Sequence, residues 1–312
     1  MEEHFHQSKK LEKDQLKMLM QKSDNPAVIR FIIMYLLFLA TSVCVVLTWT
    51  GPLWQIVLTQ IAFGILCCSI FAAEHETVHN TAFKSKQLNQ IAARLVGIAH
   101  IYASTAFREL HFTHHRYTHQ PGMDPEISFA SKPLPSVIRN IPSYLAWLSG
   151  LPLLIFKIFM LLMGAFGMPE FIRKIFFSFI RPEVRLKLAV ESWIILLIYG
   201  TLLYFALFVN PGFWGIFAGQ VVGHCILTTY LIAEHNGLPY EGDIFNKTRS
   251  MKTNKFVKAL MWNMPYHAEH HAYPAIPFHA LPQLHELIID EISHKDEGYP
   301  DFHLKVIKRE IH

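Results

Sequence analysis

Charged residues and paired cysteines are scarce in this sequence of 312 residues. Asp, Glu, Lys and Arg make up 17% of the chain and hydrophobic residues 52%, whereas a typical soluble domain has about 25% charged residues. The four cysteines, Cys44, Cys67, Cys68 and Cys225, all lie in apolar runs without a CxxC pair, which argues against a disulfide framework and a cysteine metal site. The net charge is only +4, and the absence of a basic stripe argues against a nucleic-acid partner. The composition instead indicates an integral membrane protein.

Four apolar segments are long enough to span a bilayer, at about residues 28–49, 53–73, 188–209 and 213–233. They form two pairs, joined at Thr50-Gly51-Pro52 and at Asn210-Pro211-Gly212, and both turns contain the residues that end helices. We therefore predict an all-α integral membrane fold with four transmembrane helices in two hairpins. Lys and Arg lie almost entirely in the two tails and in the loop between the hairpins, so the positive-inside rule places these parts, and both termini, in the cytoplasm.

The predicted organisation is a cytoplasmic N-terminal tail (1–27), a membrane domain (28–285) and a cytoplasmic C-terminal tail (286–312). The polar tail and the long first apolar run predict a retained span rather than a cleaved signal peptide. Residues 144–180 are apolar but contain charges. If the histidine clusters described next share one membrane face, the chain between them crosses the membrane an even number of times. We therefore expect 144–180 to form interfacial or re-entrant helices. Residues 88–107 are partly amphipathic, and we expect them to form another surface helix.

Histidine is abundant, with 19 residues, and nine of them fall into four spaced clusters. The first cluster follows the second predicted span, and the third follows the fourth span. Within each multi-histidine cluster the spacing of three or four residues puts the side chains on one helix face. The clusters are His75 and His79; His111, His114 and His115; His235; and His267, His270 and His271.

These clusters predict a metal centre on the cytoplasmic side of the membrane, in a cap formed by the histidine boxes. One zinc ion takes about four ligands, so nine imidazoles exceed the needs of one ion and fit two. Imidazole suits zinc, copper, iron and nickel. Carboxylates beside the clusters are candidates to accept the second ring N–H of a ligand and fix its tautomer; they are Glu74, Glu76, Glu109, Asp124, Glu234 and Glu269.

The pattern resembles the membrane fatty-acid desaturase superfamily, which also includes alkane hydroxylases and carotenoid ketolases and hydroxylases. The superfamily's three histidine boxes match the three multi-histidine clusters, and its additional histidine matches His235. The context of the last box, from Asn263 to Pro274, and the stretch Glu234-His235-Asn236-Gly237-Leu238 also resemble superfamily sequences. The resemblance covers residues 28–285. His119 and Asn263 are not ligands by spacing, and we expect them to support the ligands.

The resemblance implies oxygen-dependent desaturation of a lipid-linked or thioester-linked acyl chain. It implies two non-haem iron ions (Fe²⁺), dioxygen as co-substrate, and no catalytic residue beyond the metal ligands. The superfamily's fused haem-binding donor segment, with its H-P-G-G signature, has no counterpart here, and neither has a rubredoxin-like CxxC pair. Electrons are therefore expected from a separate ferredoxin or small cytochrome. An apolar tunnel for the substrate is expected between the spans, with Phe63, Phe71, Trp193 and Trp262 as candidate wall residues.

Three alternatives stay open from the sequence. The ligand set does not separate a desaturase from a hydroxylase or ketolase of alkanes, sphingolipids or carotenoids. His75-Glu76-Thr77-Val78-His79 is also an HExxH zinc-protease signature, with Glu76 as general base, although this leaves six box histidines unused. A metal transporter would place ligands near the middle of the membrane; only His224 fits that description, and we interpret it as a packing or ligand-supporting histidine.

Overall fold

The computed structural model of the chain describes residues 11–311, so the first ten residues of the predicted N-terminal tail lie outside the described part. Almost all regular structure in this part is helical. The α-helices are α1 (Lys13–Leu19), α2 (Asp24–Thr48), α3 (Leu53–Val78), α4 (Lys86–Ala99), α5 (Ser104–Tyr117), α6 (Ile141–Leu148), α7 (Leu151–Ala165), α8 (Glu170–Phe176), α9 (Arg185–Phe208), α10 (Trp214–His235), α11 (Ile244–Lys247), α12 (Lys255–Leu260), α13 (His267–Ala272), α14 (Leu281–Ile288) and α15 (Tyr299–Ile307).

Short 3₁₀-helices and two small strand pairs complete the regular structure of residues 11–311. The 3₁₀-helices are Pro182–Val184, Pro211–Phe213, Phe278–Ala280 and Ile289–Glu291. Strand β1 (Ser128–Phe129) pairs antiparallel with β2 (Lys132–Pro133), and β3 (Ser250–Met251) pairs parallel with β4 (Lys295–Asp296). The second pair ties the C-terminal segment to the chain that follows α10.

The four predicted spans are helices α2, α3, α9 and α10, so the predicted all-α membrane fold is confirmed. Each is long and apolar enough to cross a bilayer, and the bent pair α6–α7 would count as a fifth if it formed one span. Large apolar side chains on their outer faces are exposed, for example Leu36 at 61%, Leu47 at 73% and Phe208 at 73%. A patch of this kind is unfavourable in water and is expected on a surface that faces lipid.

Close packing of α3 against α10 fixes the centre of the bundle. A Cβ at Gly223 would lie 2.6 Å from the Cβ of Cys67, and one at Gly64 would lie 2.9 Å from Cγ1 of Val222. The helix backbones therefore approach as small residues allow in membrane bundles. Since His75 is on α3 and His235 ends α10, this packing brings the first and third histidine clusters together.

The stretch 88–107, expected as a single surface helix, is two helices with a break at residues 100–103. The N–H of Tyr102 donates to the carbonyl of Gly97 at 2.8 Å, and Ile101 takes a positive φ of 55°. This bond caps the end of α4, a common way to satisfy the last carbonyls of a helix. The apolar pattern continues through the break, so periodicity alone did not reveal it.

Helices α6 and α7, within the predicted stretch 144–180, meet at a bend of 56°. The bend is at Gly150, which has a φ of 72° and whose Cβ would collide with the backbone of His224. Ser149 accepts a hydrogen bond at 2.8 Å from Sγ of Cys225. His224 precedes His235, the last residue of α10, by eleven positions, or about 16 Å along the helix axis. The bend therefore packs against the middle of α10.

Candidate metal centre

The structure gathers five box histidines into one group, formed by α3, α5 and α13, in which His79 and His115 are half-buried and the other three are buried. Their ring nitrogens all lie within 4.8 Å of one another. The Nε2 atoms of His75 and His270 are 2.7 Å apart, those of His79 and His111 are 2.8 Å apart, and those of His111 and His115 are 3.0 Å apart. Three segments far apart in sequence thus present imidazole nitrogens to one small volume.

A second group lies beside the first and contains His114, His235 and His271, whose ring nitrogens also lie within 4.8 Å of one another. His267 adjoins it, since its Nε2 is 2.8 Å from Nε2 of His235. His115 of the first group and His271 of the second stack with ring centroids 4.2 Å apart. All nine predicted histidines are therefore together, as a group of five and a group of three with His267 alongside. Their binding of metal stays a prediction.

The donor chemistry of both groups fits metal ions. Burial is the main cause that lowers the pKa of His111, His115 and His271 well below the usual value, so these imidazoles are neutral and keep a free lone pair. Nε2 of His111 faces the Nε2 atoms of both His79 and His115, yet a neutral ring nitrogen offers only one proton or one lone pair. Hydrogen bonds cannot satisfy such a cluster, whereas a cation that accepts several lone pairs can.

The second ring nitrogens in the second group point outward to oxygen atoms. Nδ1 of His235 donates to the carbonyl of Lys247 at 2.8 Å, and Nδ1 of His271 is 3.3 Å from the hydroxyl of Thr118. Both oxygens of Asp124 lie 3.0 Å from Nδ1 of His114. These contacts direct Nε2 inward, which is how protein partners usually orient metal-binding histidines.

His114 differs from its neighbours in its charge state. Burial alone would lower its pKa, but the carboxylates of Asp124 and Glu126 outweigh burial and raise the pKa to about 9. In the metal-free protein His114 is therefore protonated at neutral pH, and a metal ion must displace that proton from Nε2.

The six candidate carboxylates separate into two that approach box histidines and four that do not. Asp124 bonds to His114, and Oε1 of Glu234 is 3.5 Å from Nδ1 of His267. The other four have different partners or neighbours: Glu269 contacts Ser250 and His285, Glu109 pairs with Arg181, Glu74 is near His100, and Glu76 accepts from the backbone N–H of Phe278. Among residues 11–311 no hydrogen bond joins the Glu76 side chain to a box histidine, which weighs against a zinc protease that needs Glu76 as its base.

Two further predicted supporting residues behave differently from each other. His119 lies beside the second group, with its ring centroid 6.1 Å from that of His235 and its Nδ1 donating to the carbonyl of Pro239 at 2.9 Å. The amide of Asn263 instead donates to the carbonyl of Phe278 at 2.9 Å. The sequence missed Thr118 and the Lys247 carbonyl, because their role depends on loop geometry rather than on residue type.

An apolar cavity of about 290 Å³ opens onto both histidine groups. Its wall includes His75, His111, His114, His235 and His267, together with apolar side chains from α3, α5, α7 and α10. Of the predicted wall residues, Phe71 lines the cavity. Phe63 and Trp262 are instead buried in the helix packing, and Trp193 is 47% exposed on the outer face of α9.

Residues 52–302 match the family model described as fatty acid desaturase, which is well over half of the chain. The chain belongs to the fatty acid desaturase family. This agrees with the family resemblance of the histidine boxes, and family membership supports an oxidoreductase that acts on lipid. Two histidine groups suited to metal are in keeping with a family known for di-iron centres.

Two curated relatives are similar at low identity. One is the sphingolipid delta(4)-desaturase DES1 of Drosophila melanogaster, 24% identical over 76% of this chain and 66% of its own length. The other is a putative sphingolipid delta(4)-desaturase/C4-monooxygenase of Caenorhabditis elegans, 24% identical over 74% of this chain and 58% of its own length. The matched region thus spans less than two thirds of the length of both relatives, 66% of one and 58% of the other.

Proposed function

We propose that this protein desaturates a lipid-linked or thioester-linked acyl chain, using dioxygen and two iron ions held by the nine box histidines. One observation carries the proposal: two neighbouring groups of box histidines form part of the wall of a single apolar cavity. Such a cavity suits a hydrocarbon chain, because the chain has no polar groups that would need hydrogen-bond partners when it is buried.

Within this scheme the five-histidine group holds one iron, and His114, His235, His267 and His271 hold the other. When bound, the iron pair would activate dioxygen, the oxidant that an unactivated C–H bond requires. The residues of the chain do the rest: Asp124 and the Lys247 carbonyl orient the imidazoles, and Phe71, Phe107 and Leu110 form cavity wall next to the box histidines. These side chains position the acyl chain and exclude water from the site.

Electrons are proposed to come from a separate ferredoxin or small cytochrome on the cytoplasmic side. Helices α2, α3, α9 and α10 are proposed to cross the membrane, with both termini and the histidine boxes in the cytoplasm and α6–α7 re-entering without crossing. The distribution of Lys and Arg supports this orientation, and the bend at Gly150 against the middle of α10 supports re-entry.

A second candidate function is hydroxylation, favoured by the name of the relative that includes a C4-monooxygenase activity. Desaturation and hydroxylation begin with removal of one hydrogen and differ in the next step. The lipids of cells with and without the protein, compared by mass spectrometry, test both. A product lighter by two hydrogens supports the desaturase, a product heavier by one oxygen supports the hydroxylase, and unchanged lipids with a fully iron-loaded protein contradict both.

A further inference from the structure

A buried lysine lines the same cavity as the histidine groups. Lys157 lies in the middle of α7, in the apolar sequence LPLLIFKIFMLLMGA, and is only 1% exposed. Its Nζ donates to Nδ1 of His100 at 2.6 Å, and His100 is its only hydrogen-bonding residue among residues 11–311. A buried ammonium without full hydrogen bonding is costly. The position therefore calls for another partner.

An acidic side chain is buried beside the histidine that contacts Lys157. Nδ1 of His100, the atom that Nζ of Lys157 contacts, also lies 3.7 Å from Oε2 of Glu74. The ring of His100 also stacks on that of His224 at 5.2 Å, which fixes the cluster against the middle of α10. Because an acidic side chain is already buried beside His100, a second acidic group would be unfavourable here, and the cavity face of Lys157 suits a neutral oxygen atom better than a carboxylate or a phosphate.

Other hydrogen-bond donors with no partner line the same cavity. The Tyr102 ring centroid is 5.0 Å from Nζ of Lys157, and no described residue hydrogen-bonds to the Tyr102 hydroxyl. The buried indole N–H of Trp147 also has no hydrogen-bond partner among the described residues. All three side chains stand among apolar ones such as Leu153 and Phe156. Free donors in an otherwise apolar cavity match a ligand that brings an oxygen acceptor.

We propose that Lys157 and Tyr102 form an oxygen-binding subsite in the substrate cavity. The subsite selects a lipid whose hydrocarbon chain carries a neutral hydroxyl or carbonyl oxygen. By holding that oxygen, it fixes which methylene lies next to the histidine groups. This inference rests on the proposed function, because it assigns the cavity to the substrate.

Equilibrium binding to the metal-free protein in lipid nanodiscs tests the subsite without relying on catalysis. The probes are a long-chain secondary alcohol, the corresponding ketone and the unsubstituted hydrocarbon of the same length. A hydrogen bond that satisfies a buried donor is worth about five- to hundred-fold in affinity, so the wild-type protein is expected to prefer the alcohol or the ketone by at least about five-fold.

Lys157→Met is expected to remove most of this preference while leaving hydrocarbon binding unchanged, and Tyr102→Phe is expected to reduce it. Lys174→Met is the matched control, because the side chain of Lys174 is 69% exposed on α8. If Lys157→Met does not fold, Lys157→Arg and Tyr102→Phe carry the test. The comparison of the alcohol with the ketone shows which oxygen is preferred.

Equal binding of all three probes by the wild-type protein overturns the subsite, and so does an equal loss of all three in the variants. Failure of the proposed function has a different signature. In that case the iron-loaded wild-type protein turns over none of the probes, while the binding preference and its dependence on Lys157 persist.

Discussion

Removing the charge of Asp124 should weaken one metal site and leave the other intact. Asp124 is fully buried, and both its oxygens lie 3.0 Å from Nδ1 of His114. Asp124→Asn keeps an oxygen that can accept the Nδ1 proton but loses the negative charge that makes the imidazole a stronger ligand. Changes at such supporting residues typically cost about 10- to 100-fold in metal affinity, or about 1.4 to 2.7 kcal/mol.

The assay is anaerobic titration of the metal-free protein with Fe²⁺ against a competing chelator. The variant should bind the first iron like the wild type, because Asp124 touches none of the five histidines in the first group. Measured at about pH 9, where the proton held on His114 by Asp124 competes less with the metal, the second iron should bind about 10- to 100-fold more weakly. Asp301→Asn is the matched control, since Asp301 pairs with Lys305 in α15, a helix that contains none of the nine box histidines.

Asp124 also accepts from the backbone N–H groups of His119 at 2.7 Å and Glu126 at 2.9 Å, so the thermal stability of the metal-free variant must be measured alongside. An equal loss at both sites together with a lower melting temperature indicates damage to the fold. Unchanged affinity at both sites would refute the reasoning that His114 is a ligand supported by Asp124.

Three further predictions follow from the packing and the charge states. Gly223→Ala places a Cβ 2.6 Å from that of Cys67, so it should destabilise the protein by about 1–3 kcal/mol and reduce its iron content. Gly200→Ala is the control, because its Cβ meets nothing within 4 Å; it should leave the melting temperature and the iron content unchanged. Glu76→Gln should retain most iron and activity, because the amide oxygen can still accept the same backbone N–H; complete loss of activity with intact metal binding would favour the zinc-protease alternative. Since the pKa of metal-free His114 is raised to about 9, metal binding to its group releases a proton. The affinity of that site for metal should therefore rise with pH between neutrality and about 9. A metal titration at several pH values in which this site shows no pH dependence contradicts the assignment of His114 as a ligand.

The sequence predicted the spans and the histidine boxes well, because both depend on local patterns. Long apolar runs predict helices α2, α3, α9 and α10 with each end within five residues of the observed one, and the spacing of His111, His114 and His115 is a property of one helix. The convergence of His235 with His267 could be expected only from the ligand count, since 31 residues of irregular chain and short helices separate them.

Features that depend on tertiary contacts escaped the sequence. Helix α4 ends before Tyr102 because of a backbone hydrogen bond, and no residue type in the sequence indicates that bond. In the sequence, Lys157 is a single charged residue that interrupts an apolar helix. Only the structure places it against His100 and in the wall of the cavity. Likewise, residue type could not separate Asp124, which bonds to a box histidine, from Glu109, which pairs with Arg181, because both are carboxylates close to the same box.

The iron content of the protein tests the central claim most directly. The protein should be purified anaerobically with its iron and zinc measured per chain, beside a variant in which His235 and His271 are both replaced by alanine. Two histidine-bound iron ions predict about two irons per chain in the wild type and about one in the variant. Fewer than about one iron per chain in the wild type, with zinc in its place, would contradict the di-iron account.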